Sequence, residues 1–148
     1  MGCHECALRC AGDISMCRWE WERVRRYLDR QLGPAALRRL LAQDKTIDLG
    51  DGVLERHCLF YDTERRLCAI YPVRPLACRL MGHAEFFPCP IGKVERWLDD
   101  APQIMQDYAE LELKPTSAWL SIAPPRALRE QARAAAQAGG RKPCRKSR

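Results

Sequence analysis

Residues 58–79 read Cys58-Leu59-Phe60-Tyr61-Asp62-Thr63-Glu64-Arg65-Arg66-Leu67-Cys68-Ala69-Ile70-Tyr71-Pro72-Val73-Arg74-Pro75-Leu76-Ala77-Cys78-Arg79. Two short apolar runs, 58–61 and 67–71, flank the polar stretch 62–65. That pattern predicts a small β-hairpin, and Pro72 stops its second strand. Pro75 opens a short helix that carries Cys78 and stops at Gly82, and the loop 83–90 carries Cys89. The hairpin brings Cys58 and Cys68 to one end. The short helix and the loop then return Cys78 and Cys89 to the same place.

Upstream, the apolar period changes to that of helices. Cys17, Trp21, Val24, Leu28 and Leu32 recur at spacings of 4, 3, 4 and 4, which makes one buried stripe. Asp13 or Ser15 is the expected N-cap. Gly33-Pro34 ends this helix and starts a second with the stripe Leu37, Leu40 and Leu41. Ile47 and Leu49 alternate with polar neighbours before the turn Gly50-Asp51-Gly52. Downstream, one helix is expected around Val94, Trp97 and Leu98. Another, opened by Pro102, carries Ile104, Tyr108 and Leu111, and Trp119, Leu120 and Ile122 form a last core-facing patch. The expected fold is therefore mainly α with a small β-hairpin: a compact, cysteine-rich, metal-centred single domain over residues 1–125. Residues 126–148 are expected to be a basic Ala/Arg-rich solvated helix and a disordered tail.

The chain has 148 residues, 47% hydrophobic and 30% charged, enough to bury a core without staples. Its net charge is +6. From Arg126 onward, eight basic residues stand against Glu130, so that segment carries +7 and residues 1–125 carry −1. Any attraction to nucleic acid thus rests on the tail, and an unidentified protein partner is the other expectation. No stretch approaches 18 uninterrupted apolar residues, and Met1–Cys6 lacks the basic and apolar regions of a signal peptide. Both features lead to an expectation of a cytoplasmic protein with reduced thiols.

In that setting nine cysteines point to metal. Cys3-x2-Cys6-x3-Cys10-x6-Cys17 forms one group, and Cys58-x9-Cys68-x9-Cys78-x10-Cys89 forms the other. Two groups of four suit two tetrahedral thiolate zinc sites, or one four-thiolate cluster and a second metal. Residues 3–10 hold little apolar material, so metal would have to order them. Cys17 lies on the apolar stripe, and a buried core thiol accounts for it as well as ligation does. Cys144 stands alone among arginines and lysines. His4, His57 and His83 each lie near a cysteine, but the eight thiols already satisfy two sites. Arg74 and Arg79 flank Cys78 and are placed to offset thiolate charge. No phosphate loop, nucleophile elbow or H-E-x-x-H is present, so no catalytic residue is assigned. Zinc is preferred to an iron–sulfur cluster because no flavin or second redox motif accompanies the thiols. The alternative is an iron–sulfur electron-transfer or oxidoreductase component.

The run Cys68-Ala69-Ile70-Tyr71-Pro72-Val73-Arg74-Pro75-Leu76-Ala77-Cys78-Arg79, with Cys58-Leu59-Phe60 before it, resembles the core motif of the YkgJ-type cysteine-cluster family. Members are described as chelating zinc or iron through a C-x-x-C-x-x-C-C signature. Every fixed position of C-x-I-Y-x-x-R-P-x-x-C-R is matched, and the resemblance spans roughly residues 3–89. It implies one metal site built jointly from the N-terminal and central cysteines. Some relatives are described as iron–sulfur oxidoreductases, and flagellin lysine methylase is a larger relative. No S-adenosylmethionine-binding pattern accompanies the motif here. The front of the signature departs from the family: three residues separate Cys6 from Cys10, and Ala11 stands where a second adjacent cysteine would be. Cys17, in the first turn of the helix, is a candidate for the missing sulfur, and the fourth N-terminal ligand stays open.

Overall fold

The computed structural model describes residues 10, 12–48, 50–89, 92 and 97–139. Cys3, Cys6, His4, Val94, Pro90, Cys144 and the tail beyond 139 lie outside the described residues.

The long amphipathic stripe forms α1, Arg18–Gln31. Trp21, Val24 and Leu28 are fully buried, as their spacing predicts. Its N-cap is Cys17 and not Asp13 or Ser15. Ser15 instead pairs in β1, Ser15–Met16, and Asp13 accepts hydrogen bonds from the backbone N–H and hydroxyl of Ser117. The second helix, α2, runs Pro34–Ala42 with Gly33 as N-cap and with Leu37 and Leu40 buried.

Two short antiparallel hairpins follow. β2 (Thr46–Asp48) pairs with β3 (Leu54–Arg56), with Ile47 opposite Glu55. The connecting turn holds Gly50, Asp51 and Gly52 at φ of 95°, 51° and 75°, the left-handed region that glycine reaches without Cβ strain. β4 (Tyr61–Asp62) pairs with β5 (Leu67–Cys68), with Tyr61 opposite Cys68. This hairpin is shorter than its apolar runs imply. Residues 58–61 form a turn closed by Tyr61 N–H on the Cys58 carbonyl at 2.9 Å. Past Cys68 the chain leaves the strand for a 3-10 turn, Tyr71–Val73, because Pro72 has no N–H for a ladder. Pro75 then caps α3, Leu76–Arg79.

The remaining helices are α4 (Ala101–Ala109, with Pro102 in its first turn), α5 (Thr116–Ile122) and α6 (Arg126–Gly139). β6, Lys114–Pro115, pairs with β1. Trp97 and Leu98 lie outside any helix and are exposed, unlike the expectation for that segment. In α5, Trp119 is buried but Ile122 faces solvent. A helix of seven residues presents one narrow face, and Trp119 takes it.

The main core is organised on Trp21. Phe60 and Trp119 stack against it, each at 6.5 Å between ring centroids. The Trp21 indole N–H donates to the Ala123 carbonyl at 2.9 Å, and that of Trp119 donates to the Met16 carbonyl at 2.8 Å. These contacts join α1, the turn after Cys58 and α5 into one unit. A smaller cluster of Leu80, Ala84 and Ala101 joins α3 to α4. Among the described residues, no helix is long and apolar enough to cross a membrane.

The expectation of a solvated C-terminal helix fits residues 129–137, which are exposed, but not the first turn of α6. Ala127 is buried, Leu128 packs on the core, and Asp29 of α1 accepts the Arg126 N–H at 2.7 Å. Those contacts are worth about 1–2 kcal/mol. A chain ending at Pro125 should therefore melt on the order of 5 °C lower than the full chain. Differential scanning calorimetry of the two forms checks this, and an unchanged melting temperature would show the docked turn to be inconsequential.

Candidate metal centre

The turn 58–61 and the segment before α1 meet edge to edge. Cys58 N–H donates to the Cys10 carbonyl at 2.6 Å, and Gly12 N–H donates to the Arg56 carbonyl at 2.7 Å. The chain carrying Cys10 therefore runs against the strand that delivers Cys58. Their thiols also meet. Cys10 donates its S–H to the Cys58 sulfur, which raises the pKa of Cys10, with burial adding to the effect. The same bond lowers that of Cys58, helped by the Phe60 N–H and the charge of Lys45.

Cys68 on β5 and Cys78 on α3 complete the group. Both lie close enough for their charge to be felt at Cys10. Cys78 feels Cys58 and Cys68 in turn. Its thiol is pushed up to about 12, first by burial and then by those two neighbours. Arg74 opposes this. Its guanidinium lies 3.8 Å from the Tyr71 ring centroid, and its carbonyl accepts a 2.9 Å bond from Arg23. The part foreseen for Arg74 is visible in this field; no such effect is seen for Arg79. His57, beside Cys58, bonds through its ring to the Cys10 backbone. Its Nδ1 is buried without a partner among the described residues.

The other expected ligands are placed differently. Cys17 is buried at the start of α1, where its thiol and its backbone N–H both reach the Glu20 carboxylate, at 3.5 and 3.3 Å. Cys89 lies in the loop after α3, and its carbonyl accepts the Gly92 N–H at 3.2 Å. Cys3 and Cys6 lie outside the described residues. No disulfide joins any two of the described cysteines. Among the described residues, no three His, Cys, Asp or Glu side chains form a group that could hold a metal ion. The arrangement is a contacting pair of thiols with two more in its electrostatic field. Soft sulfur donors of this kind fit zinc or iron.

Two charged residues at the centre are absent from the sequence reading. Glu20 is fully buried. One carboxylate oxygen accepts the Leu76 N–H at 2.7 Å, at the start of the helix that carries Cys78. The other accepts the Tyr108 hydroxyl of α4, whose pKa is raised by burial and by Glu20. Glu20 stands three residues after Cys17, the spacing of a reciprocal helix cap, and it lies on the buried face with Trp21. That spacing was a signal. Lys45 is also buried, although nothing in its surroundings along the chain marks it.

In comparisons with known proteins, no curated protein and no solved structure gave a match. The model of the CxxCxxCC family matches residues 2–107, a span that includes all eight cysteines of the two groups. The chain therefore belongs to the CxxCxxCC family, described as "Putative zinc- or iron-chelating domain".

Proposed function

We propose that this protein is a metal-binding module. In this reading Cys10, Cys58, Cys68 and Cys78 form the heart of a thiolate site, and the N-terminal Cys3 and Cys6 complete it. The observation that carries the reading is the meeting of Cys10 with Cys58 in the common field of Cys68 and Cys78. Four thiols in one small region, Cys58 buried and the other three half-buried, repel one another once ionised, and a bound cation removes that cost. Cys89 belongs to the same ligand set on sequence grounds. Cys17 has a sufficient local role as a cap bonded to Glu20. Zinc is the preferred ion, and bound there it serves as a structural centre. Were the group an iron–sulfur cluster, it would supply one-electron chemistry, and the protein would be an electron-transfer component. The basic end remains available for a polyanion or an acidic protein partner, by charge alone.

Metal analysis and a visible spectrum of anaerobically purified protein test the proposal. The expected result is stoichiometric zinc and a colourless sample. A broad band near ~400 nm would replace zinc by an iron–sulfur cluster. A form that starts at Ser15 removes Cys3, Cys6 and Cys10 together and should lose the metal. Full metal content in that form would overturn the shared site and leave only the central cysteines as ligands.

A further inference from the structure

Lys45 follows α2, and its side chain runs beneath the turn that presents Cys58. Its backbone carbonyl accepts the N–H of His57 at 2.7 Å. Its ammonium donates to the Tyr61 carbonyl, and to Gln43 Oε1 at 2.9 Å. Tyr61 closes the turn on Cys58 and stands opposite Cys68. The residue is 2% exposed. Both acceptors are neutral. The nearby carboxylate of Asp62 is taken up by the Gln43 amide, by the N–H groups of Glu64 and Arg65, and by the Arg65 guanidinium at 3.8 Å. A buried ammonium held only by neutral oxygens is costly unless negative charge lies close by. That charge is supplied by Asp62, and by Cys58 and Cys10 once they are thiolates; all three act on Lys45 electrostatically. Burial pulls the lysine's pKa down, and these groups pull it back up.

We propose that Lys45 is a positioning residue of the metal centre: its buried ammonium offsets the negative charge that Cys10 and Cys58 acquire as thiolates when they hold a metal ion. The proposal rests on the metal-binding reading above. Four thiolates around a divalent ion leave a net charge of about −2. Lys45, acting on Cys10 and Cys58, and Arg74, acting on Cys78, reduce that excess.

The test uses the full chain with K45M, K45Q and K45R. K45M removes the charge at nearly constant length. K45Q removes it and keeps a donor for the Tyr61 carbonyl, so that one neutral variant folds even where the other does not. Zinc affinity is measured by chelator competition, and each variant is also loaded with cobalt(II) as a spectroscopic probe. At an effective dielectric of about 20, a unit charge acting on a thiolate over roughly 6–12 Å is worth about 10–100-fold in affinity. The neutral variants should lose that much, and K45R should regain most of it. The sulfur-to-cobalt charge-transfer band should move to lower energy in the neutral variants and return in K45R, a signature that a purely structural lysine would not produce. Neutral variants with wild-type affinity and an unmoved band overturn the role of Lys45 and leave the metal site standing. Failure of the wild type to bind zinc or cobalt overturns the metal reading, and the role of Lys45 with it.

Discussion

Glu20→Ala should lower the melting temperature by about 10–20 °C. The carboxylate is completely buried and gathers donors from three elements: Cys17 at the cap of α1, Leu76 at the start of α3, and Tyr108 of α4. Alanine leaves the Leu76 and Cys17 N–H groups without this acceptor, and the Tyr108 hydroxyl with only a long 3.5 Å bond to the Ser15 carbonyl. Each orphaned buried donor costs about 1–3 kcal/mol, so the sum approaches half of a typical folding free energy of about 5–15 kcal/mol. Glu20→Gln keeps the volume and one acceptor oxygen but turns an NH2 group toward donors, and its loss should be intermediate. Glu22 provides the contrast. It lies one residue beyond Trp21 and pairs with Arg18 across exposed side chains, so Glu22→Ala should change stability by less than about 0.5 kcal/mol. Because Leu76 opens the helix that carries Cys78, Glu20→Ala should also reduce metal content. Thermal denaturation followed at two wavelengths checks the first claim, and a Glu20→Ala protein that melts within about 2 °C of wild type would sink it.

What the sequence made legible follows the range of the interactions. The stripe of α1, the Gly33-Pro34 boundary and the Pro102 start of α4 are local patterns, and each is found in the structure. The pairing of β1 with β6 joins residues about one hundred positions apart through two bonds' worth of strand, and no local pattern encodes it. The same pairing removed Ser15 from its expected capping role. Asp13 left that role for a distant one, at the start of α5. Around the centre, the hairpin reading placed Cys58 and Cys68 near each other for a sound reason, although the strands are shorter than their apolar runs. The edge contact between Cys10 and Cys58 joins two cysteines 48 positions apart, one from each group. Lys45 and Glu20 were missed because charged residues are ordinarily exposed, and only three-dimensional neighbours show when burial is compensated.

Removing the metal should have a still larger effect than any single substitution. Structural zinc sites contribute about 10–16 kcal/mol of apparent binding energy at pH 7, and in small domains much of it is folding energy. Here the thiols draw together the segment before α1, the turn 58–61, β5 and α3, which are otherwise linked by a few backbone hydrogen bonds and the edge of the core. The Trp21, Phe60 and Trp119 stack shares its cluster with Cys58 but has its own ring contacts, and it survives in part without metal. Treatment with a strong chelator should therefore abolish near-ultraviolet dichroism and lower the melting temperature by more than about 20 °C, while most helical signal remains. The protonation state adds a pH signature. Cys10 and Cys78 hold their protons in the metal-free protein, Cys10 through its bond to Cys58 and burial, Cys78 through burial and its thiol neighbours. Those protons must leave when the sulfurs bind a cation, so affinity rises with pH. Two or three displaced protons correspond to about a hundred- to thousandfold gain per pH unit below the thiol pKa values. Cys58 contributes least, because its pKa is already lowered. Calorimetric titration with zinc in buffers of different ionisation enthalpy counts the protons directly. Full retention of tertiary structure after complete metal removal, or zinc uptake with no proton release, would show that these thiols do not hold the ion.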